Sequence, residues 1–373
     1  MKEELGIYIH IPFCMRKCYY CDFVSFAGKE DLQEQYVETL KKEIVANKEK
    51  GNDKVVTTIY IGGGTPSYID SKLIVSIVDT IKQNYQISNQ VEMTIEVNPG
   101  TVTKEKLEDY KKAGVNRLSI GLQSTNNLLL KEIGRIHTYE EFLNTYQLAR
   151  KVGFSNINVD LMLALPNQTI MMLEESLKKV IDLNPEHISI YSLILEEGTV
   201  LEDLVYNGKL ILPYEETERD MYWRAKKILE QNGYIHYEIS NFAKPEKVSK
   251  HNLNCWNQKQ YLGFGVAAHS YYDKKRYSNT DDLEQYIKKQ EKMVHEVQSI
   301  ETEQKEYMML GLRKIDGVSV FEFKNKFVQN PIYLFRKELD KLVKEDLVEI
   351  DMDNIKLTNK GIDLANLVFE EFV

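Results

Sequence analysis

Gly6-Ile7-Tyr8-Ile9-His10-Ile11-Pro12-Phe13-Cys14-Met15-Arg16-Lys17-Cys18-Tyr19-Tyr20-Cys21-Asp22-Phe23 lies near the start of the chain. Its first half, Gly6–Pro12, sets Ile against Tyr and His at period two, which predicts a strand. Cys14, Cys18 and Cys21 follow directly, in C-x3-C-x2-C spacing. Three of the four cysteines thus fall within eight residues and the fourth is the distant Cys255, which is not how a disulfide framework is spaced. Soft thiolates so grouped suit an iron–sulfur cluster. Zinc held with a distant Cys255 or a His as fourth ligand is an alternative on spacing alone, and so is simple burial. In a [4Fe–4S] cube, three thiolates leave one iron free to take a small molecule. The loop behind a strand is also where barrel enzymes build their sites.

Beyond this stretch, strand-like runs alternate with stretches of helical period. The strands are Thr57–Ile61, Glu92–Val97, Arg117–Leu122, Asn156–Leu163 and His187–Leu195. The helices are Leu32–Lys48, Ser71–Asn84, Lys104–Ala113, Tyr139–Val152, Met171–Leu183 and Glu215–Asn232. Strand followed by helix, repeated about six times, predicts an α/β fold with a parallel sheet. Right-handed crossovers would curl it into a complete or partial (β/α) barrel, and a doubly wound open sheet is the competing layout. The pattern changes near residue 234. Tyr234–Phe242 reads as one more strand, and Lys250–Ser278 as a long ordered loop. Helices return at Thr302–Arg313, Val320–Phe327 and Tyr333–Glu345. Two short strands, Val348–Asp351 and Asn354–Leu357, precede a last helix from Asn359, an order that resembles a winged-helix module. The expected divisions are 1–233, 234–299 and 300–373.

The chain has 373 residues, 43% of them hydrophobic, and a formal net charge of −9. That balance, without a basic block, speaks against general nucleic-acid binding. No apolar run is long enough to span a bilayer and no signal peptide is evident. The expected location is therefore the cytoplasm, where thiols stay reduced.

The cysteine stretch resembles the radical SAM (S-adenosylmethionine) superfamily, whose motif is C-x3-C-x2-C with an aromatic before the last cysteine, here Tyr20. The resemblance runs over roughly residues 5 to 280 and on into the C-terminal module. The runs YIHIPFC (Tyr8–Cys14), GGGTP (Gly62–Pro66), EVNP (Glu96–Pro99), GLQS (Gly121–Ser124) and GRIH (Gly134–His137) look like one branch. That branch contains oxygen-independent coproporphyrinogen III oxidase and the heme chaperone HemW. The resemblance implies a partial (β/α)6 TIM-like barrel followed by a helical, winged-helix-like module. It implies a [4Fe–4S] cluster on Cys14, Cys18 and Cys21, with SAM chelating the open iron. Gly63, Gly64 and Thr65 would then hold the methionyl end and Glu96 the ribose hydroxyls. Gln123, Arg135 and Asp160 would make the remaining polar contacts, while Tyr8 and Tyr20 line the cluster and adenine.

Within the branch, the oxidase pattern carries a fourth cysteine two positions past the third, where this chain has Phe23, and a longer segment ahead of the first strand. Both differences point toward the chaperone. His251-Asn252-Leu253-Asn254-Cys255-Trp256 resembles the chaperone's HNxxYW motif, implicated in heme binding, with Cys255 where the motif has Tyr. By that resemblance His251 contacts heme. Tyr261–Tyr271 resembles YLGFGxGAHS, with Val266 at a position more often Gly or Ala, and is expected to line the site. The implied function is heme binding and delivery to a respiratory-chain acceptor, without coproporphyrinogen oxidase activity. The alternative is an oxidase-like or other tetrapyrrole-modifying radical SAM enzyme; a structural or redox-sensing cluster with a DNA-reading module is the remote one. Heme or porphyrin and the heme acceptor are the expected partners. Transient contact with a membrane face and a homodimer are compatible with the resemblance.

Overall fold

In the strand Ile157–Leu163, Ile157, Val159, Leu161 and Leu163 are fully buried on one face, while Asn158, Asp160 and Met162 occupy the other. The same alternation runs through five neighbours in the computed structural model, which describes residues 2–289 and 292–373. These strands are β1 (Glu3–Ile11), β2 (Lys54–Gly63), β3 (Ile87–Val97), β4 (Arg117–Gln123), β5 (Ile157–Leu163) and β6 (His187–Ser192). They pair in parallel, in sequence order. One parity is aliphatic (Ile7, Ile59, Ile95, Ile120, Val159, Ile190) and packs on helices. The other is polar (His10, Tyr60, Glu96, Ser119, Asp160, Ser189). Successive side chains of a strand point to opposite faces, so the helices cover one face and the polar residues share the other.

The covering helices are α1 (Gln33–Ala46), α2 (Ser71–Asn84), α3 (Lys104–Lys112), α5 (Tyr139–Val152), α6 (Ile170–Asp182) and α8 (Glu215–Gln231), while the short α4 (Asn127–Glu132) and α7 (Val200–Tyr206) pack apart from that face, around Ile133, Leu165 and Leu193. A 14-residue helix is marginal alone in water. Packing decides α2, which buries Ile74, Ile77, Val78 and Ile81, each worth about 1.5–3 kcal/mol. Its start is fixed by Asp70, whose carboxylate accepts from Lys72 N at 2.9 Å. The α5 start carries a capping box between Thr138 and Glu141. Strictly sequential strand order has no reversal point, which excludes the doubly wound layout. The helices α4 and α7 sit in connections that sequence periodicity left blank, because each is under two turns long.

Two expectations past residue 234 are corrected. Tyr234–Phe242 is not one strand but a hairpin of β7 (Ile235–Glu238) and β8 (Asn241–Ala243). The Glu238 carboxylate holds the bend by accepting from Ser240 N at 3.1 Å and from the Asn241 side chain. Lys250–Ser278 is not a loop: it forms α9 (Lys250–Trp256), β9 (Tyr261–Phe264), β10 (His269–Tyr272) and β11 (Lys275–Asn279). Strands of four or five residues are too short to display a period. With β12 (Lys292–Val297) they extend the sheet from β1, while β8 and β7 extend it beyond β6. The strand β9 runs parallel to β1, whereas β10, β11 and β12 pair antiparallel with their neighbours, so the central sheet is mixed.

The C-terminal region is chiefly helical and has its own core, including Tyr307, Phe323, Phe327, Phe335 and Phe372. Its short strands Val318–Ser319, Val348–Ile350 and Asn354–Leu357 form a three-stranded antiparallel sheet. No helix among the described residues is long and apolar enough to cross a membrane.

Candidate functional site at the C-terminal ends of the parallel strands

The loop after β1 is tied to its surroundings by main-chain bonds. Cys14 N donates to Phe26 O at 3.0 Å and Phe26 N to Pro12 O at 2.7 Å, which folds the loop back on itself. Tyr19 N donates to Ile133 O at 3.0 Å, and Leu201 N to Tyr19 O at 2.9 Å. The Arg16 guanidinium donates to Gly134 O at 2.8 Å. The loop behind β2 sits against this one: Gly64 N donates to Ile11 O and Thr65 N to Phe13 O, both at 2.9 Å. A Cβ on Gly64 would stand 3.0 Å from Cys14 Sγ and 3.0 Å from the Pro12 carbonyl carbon, so only glycine allows that approach.

These loops open a cavity of about 490 Å³, a size typical of cofactor sites. Cys14, Cys18, Cys21, Tyr20, Gly63, Gly64, Thr65, Glu96, Gln123, Arg135 and Asp160 all line it. All four cysteines are free thiols. Cys14 Sγ lies 3.3 Å from Thr65 Oγ1 and Cys18 Sγ lies 3.6 Å from an Arg135 Nη. Burial raises the Cys14 thiol and pushes Cys21 up to about 11. Both are therefore protonated at neutral pH and would release protons on taking up metal.

Glu96 ends β3 and accepts from Tyr60 OH at 2.8 Å and from Gly63 N at 3.1 Å. Burial, aided by the nearby Asp160 charge, raises it to about 7 against the bonds from Tyr60 and Gly63. Asp160 is raised chiefly by burial and accepts from Asn158 at 2.7 Å and Ser119 at 3.4 Å. Gln123 accepts from Tyr191 OH at 3.1 Å. Arg135 donates to Asn98 at 2.9 Å and to Gly121 O.

The raised Glu96 has a measurable consequence. The folded protein holds its proton more tightly than an unfolded chain, where the value is 4.5. Its contribution to stability is present below pH 4.5 and is lost as pH climbs to about 7. Glu96→Gln removes that dependence. In urea unfolding without ligands, the variant should gain about 2.5 kcal/mol on wild type between pH 5 and pH 8. An equal pH dependence in both proteins would refute the buried acid.

Three expected site residues stand elsewhere. Tyr8 bonds His10 Nδ1 at 2.9 Å and packs on Tyr60 with ring centroids 6.3 Å apart, outside the cavity lining. His251 lies 3.0 Å from Thr58 Oγ1 and stacks on Tyr60 at 5.2 Å. His251 does not itself line the cavity, although Tyr60, on which it stacks, and the adjacent Asn252 do. Burial holds its imidazole neutral, with a value near 4. The Glu92 carboxylate fixes the start of α9 by accepting from Lys250 N and His251 N, each at 3.1 Å. Cys255 does not line the cavity and is not a fourth ligand to the other three. Nor does Tyr261–Tyr271: it builds the β9–β10 edge beside β1.

Sequence reasoning missed Tyr60, Asn98, Arg117, Asn158, Ser189 and Tyr191, all of which line the cavity. The available signal was the polar parity of otherwise aliphatic strands, as in Asn158-Val159-Asp160-Leu161.

Profiles for the radical SAM superfamily and the HemN C-terminal domain match residues 8–180 and 301–364. The chain is 38% identical over 376 residues to the heme chaperone HemW of Lactococcus lactis, covering 100% of this chain and 98% of the relative. It is likewise 38% identical over 373 residues to the heme chaperone HemW of Bacillus subtilis, covering 98% of each. The chain belongs to the HemN/HemW branch of the radical SAM superfamily. A solved structure of the Escherichia coli coproporphyrinogen III oxidase HemN, described as a radical SAM enzyme, superposes with a TM-score of 0.86 at 24% identity. That superposition covers 100% of this chain and 90% of that one. That likeness shows the fold alone.

The lining suits the cofactors of this branch. Arg117 Nε, Arg135 Nε and Asn241 Oδ1 belong to lining residues and are buried without a hydrogen-bond partner. Buried polar atoms left so are costly and are met by a bound group or by water. Zinc needs four ligands converging at about 2.0–2.3 Å. Among the described residues, no group of three or more His, Cys, Asp or Glu could hold a metal ion. A cubane asks each thiolate to reach a separate iron, which needs no such convergence.

Proposed function

We propose that this chain is a heme-handling protein built on a radical SAM core, without coproporphyrinogen oxidase activity. The observation that carries the reading is the gathering of Cys14, Cys18 and Cys21 in one cavity with seven of the expected SAM contacts, while Phe23 takes the place of the oxidase's fourth cysteine. The relatives described as heme chaperones support it. In this reading the six βα units curve as a partial barrel over residues 1–233. Residues 234–299 extend it, and 300–373 form a winged-helix-like module.

The three cysteines would hold a [4Fe–4S] cluster, whose chemistry when bound is delivery of one electron to the sulfonium of SAM. The chain's own residues do the rest. Gly63, Gly64 and Thr65 offer main chain to the methionyl end. Glu96 would accept from hydroxyls of the sugar, bonds that favour its ionised form, and Asp160 would join the remaining polar contacts. Arg135 and Gln123 fix the remaining polar edge, and Tyr20 with the flanking loops excludes water. Heme passes to a respiratory-chain acceptor in the cytoplasm. Axial ligation by His251, the expectation from its motif, would call on an imidazole that stacks on Tyr60 and lies 3.0 Å from Thr58 Oγ1.

The test is anaerobic reconstitution of the full chain. The expected result is about four irons per chain and stoichiometric hemin binding, with coproporphyrinogen III left unconsumed in the presence of SAM and reductant. Decarboxylation of that substrate would replace this reading with the enzyme, and failure to bind hemin at micromolar concentration would remove it.

A further inference from the structure

A chain of buried hydrogen bonds runs from the start of α9 to a carboxylate of the cavity. The parallel register sets Ser119, Asn158 and His187 side by side on β4, β5 and β6. Asp160 stands two residues past Asn158, on the same face of β5 and one step nearer the strand's C-terminal end. Asn158 Nδ2 donates to Asp160 Oδ1 at 2.7 Å and to Ser119 Oγ at 2.8 Å. Asn158 Oδ1 accepts from Ser189 Oγ at 3.1 Å and lies 2.6 Å from His187 Nδ1. His187 is fully buried, and its Nε2 lies 2.8 Å from Tyr237 OH. The Tyr237 oxygen accepts from the N–H of Ser249, the residue that caps α9, at 3.2 Å.

The end groups fix the direction of every bond. The Asp160 carboxylate calls for the amide N–H of Asn158, so the amide carbonyl faces His187. That carbonyl needs a donor, so His187 carries its proton on Nδ1. Burial, with the Arg117 charge nearby, keeps the imidazole neutral. Its Nε2 is therefore bare and accepts from Tyr237 OH. One donor and one acceptor are what the two neighbours require, and a neutral imidazole supplies both. Without the Nδ1 proton, the Asn158 amide is free to turn over and set its carbonyl against the carboxylate. We infer that His187, outside the cavity lining, is a positioning residue: its Nδ1 proton locks the Asn158 amide, and the amide aims the Asp160 carboxylate at its ligand. The inference rests on the reading of Asp160 as a polar contact to SAM. A pairing that served stability alone would end at the strands it joins. This one is spent on a carboxylate that lines the cavity.

The test measures SAM affinity by equilibrium dialysis on the anaerobically reconstituted full chain, for wild type, His187→Phe and His187→Asn at equal iron content. An asparagine amide stands where Nδ1 does and restores the donor to Asn158. His187→Phe should weaken SAM binding at least about tenfold, while His187→Asn stays within about threefold of wild type. Both variants lose the bond to Tyr237, so both should lower the urea midpoint, and affinity and stability then part company. Binding by His187→Phe within about twofold of wild type, or an equal loss in both variants, overturns the positioning role. A second measurement needs no variant with an altered core pairing at its centre. Nitrogen NMR on wild type labelled in histidine, with His187→Asn identifying the signal, should find the His187 proton on Nδ1. A proton on Nε2 overturns the inference. Wild type that loads its cluster yet binds no SAM overturns the SAM reading, and the inference with it.

Discussion

Replacing Cys18 with alanine is expected to strip the reconstituted protein of its cluster absorbance near 400 nm, taking iron from about four atoms per chain to almost none. The loop itself should survive. Tyr19 next to Cys18 is anchored through both its N–H and its carbonyl, to Ile133 and Leu201, and neither bond needs the thiol. Far-UV circular dichroism should therefore match wild type, which separates lost ligation from lost folding. Cys255→Ala is the contrasting variant. Its thiol, pushed up to about 11 by burial, lies outside the cavity, so iron content should hold. Loss of iron in Cys255→Ala, or its retention in Cys18→Ala, would redraw the ligand set.

Gly263→Ala should lower stability by roughly 3 kcal/mol or more, a large effect for one methyl group. A Cβ at this position would stand 2.0 Å from His269 O and 2.8 Å from its carbonyl carbon. Both are main-chain atoms of β10, and relief means parting β10 from β9. The strand β9 is the partner of β1 on the side away from β2, with Tyr8 opposite Gly263, so the strain falls on the strand that carries the cysteine loop. A clear drop in the urea midpoint is expected. An unchanged midpoint would mean that this edge yields far more easily than its packing indicates.

The legible part of the molecule was the part written in periods. Ile157, Val159 and Leu161, set against Phe142, Tyr146 and Ala149, repeat at two and at 3.6, and the sixfold alternation of strand and helix followed from such patterns. The cysteine spacing was equally plain, and short runs around Gly63, Glu96, Gln123 and Arg135 pointed to residues that line one cavity with the cysteines. What stayed hidden depended on distance. Glu92 caps α9 across 158 positions of sequence, and nothing local to His251 says that it faces Thr58 and Tyr60. Tyr60, Asn158 and Tyr191 join the site because parallel register lines up strands that the chain visits far apart. Isolated residues of that kind carry no spacing to read. The strands β7 to β12 were missed or merged for a simpler reason: at three to six residues each, they hold at most three repeats of their period.

The proposed site depends on a cluster that Cys14, Cys18 and Cys21 would hold while leaving one iron without a thiolate. Electron paramagnetic resonance of the reconstituted, reduced protein tests it directly when recorded with and without SAM. The account predicts that SAM changes the cluster signal in wild type and leaves the signal of Arg135→Met less affected. A spectrum identical with and without SAM at full cluster loading would contradict the open corner, and with it the proposed site.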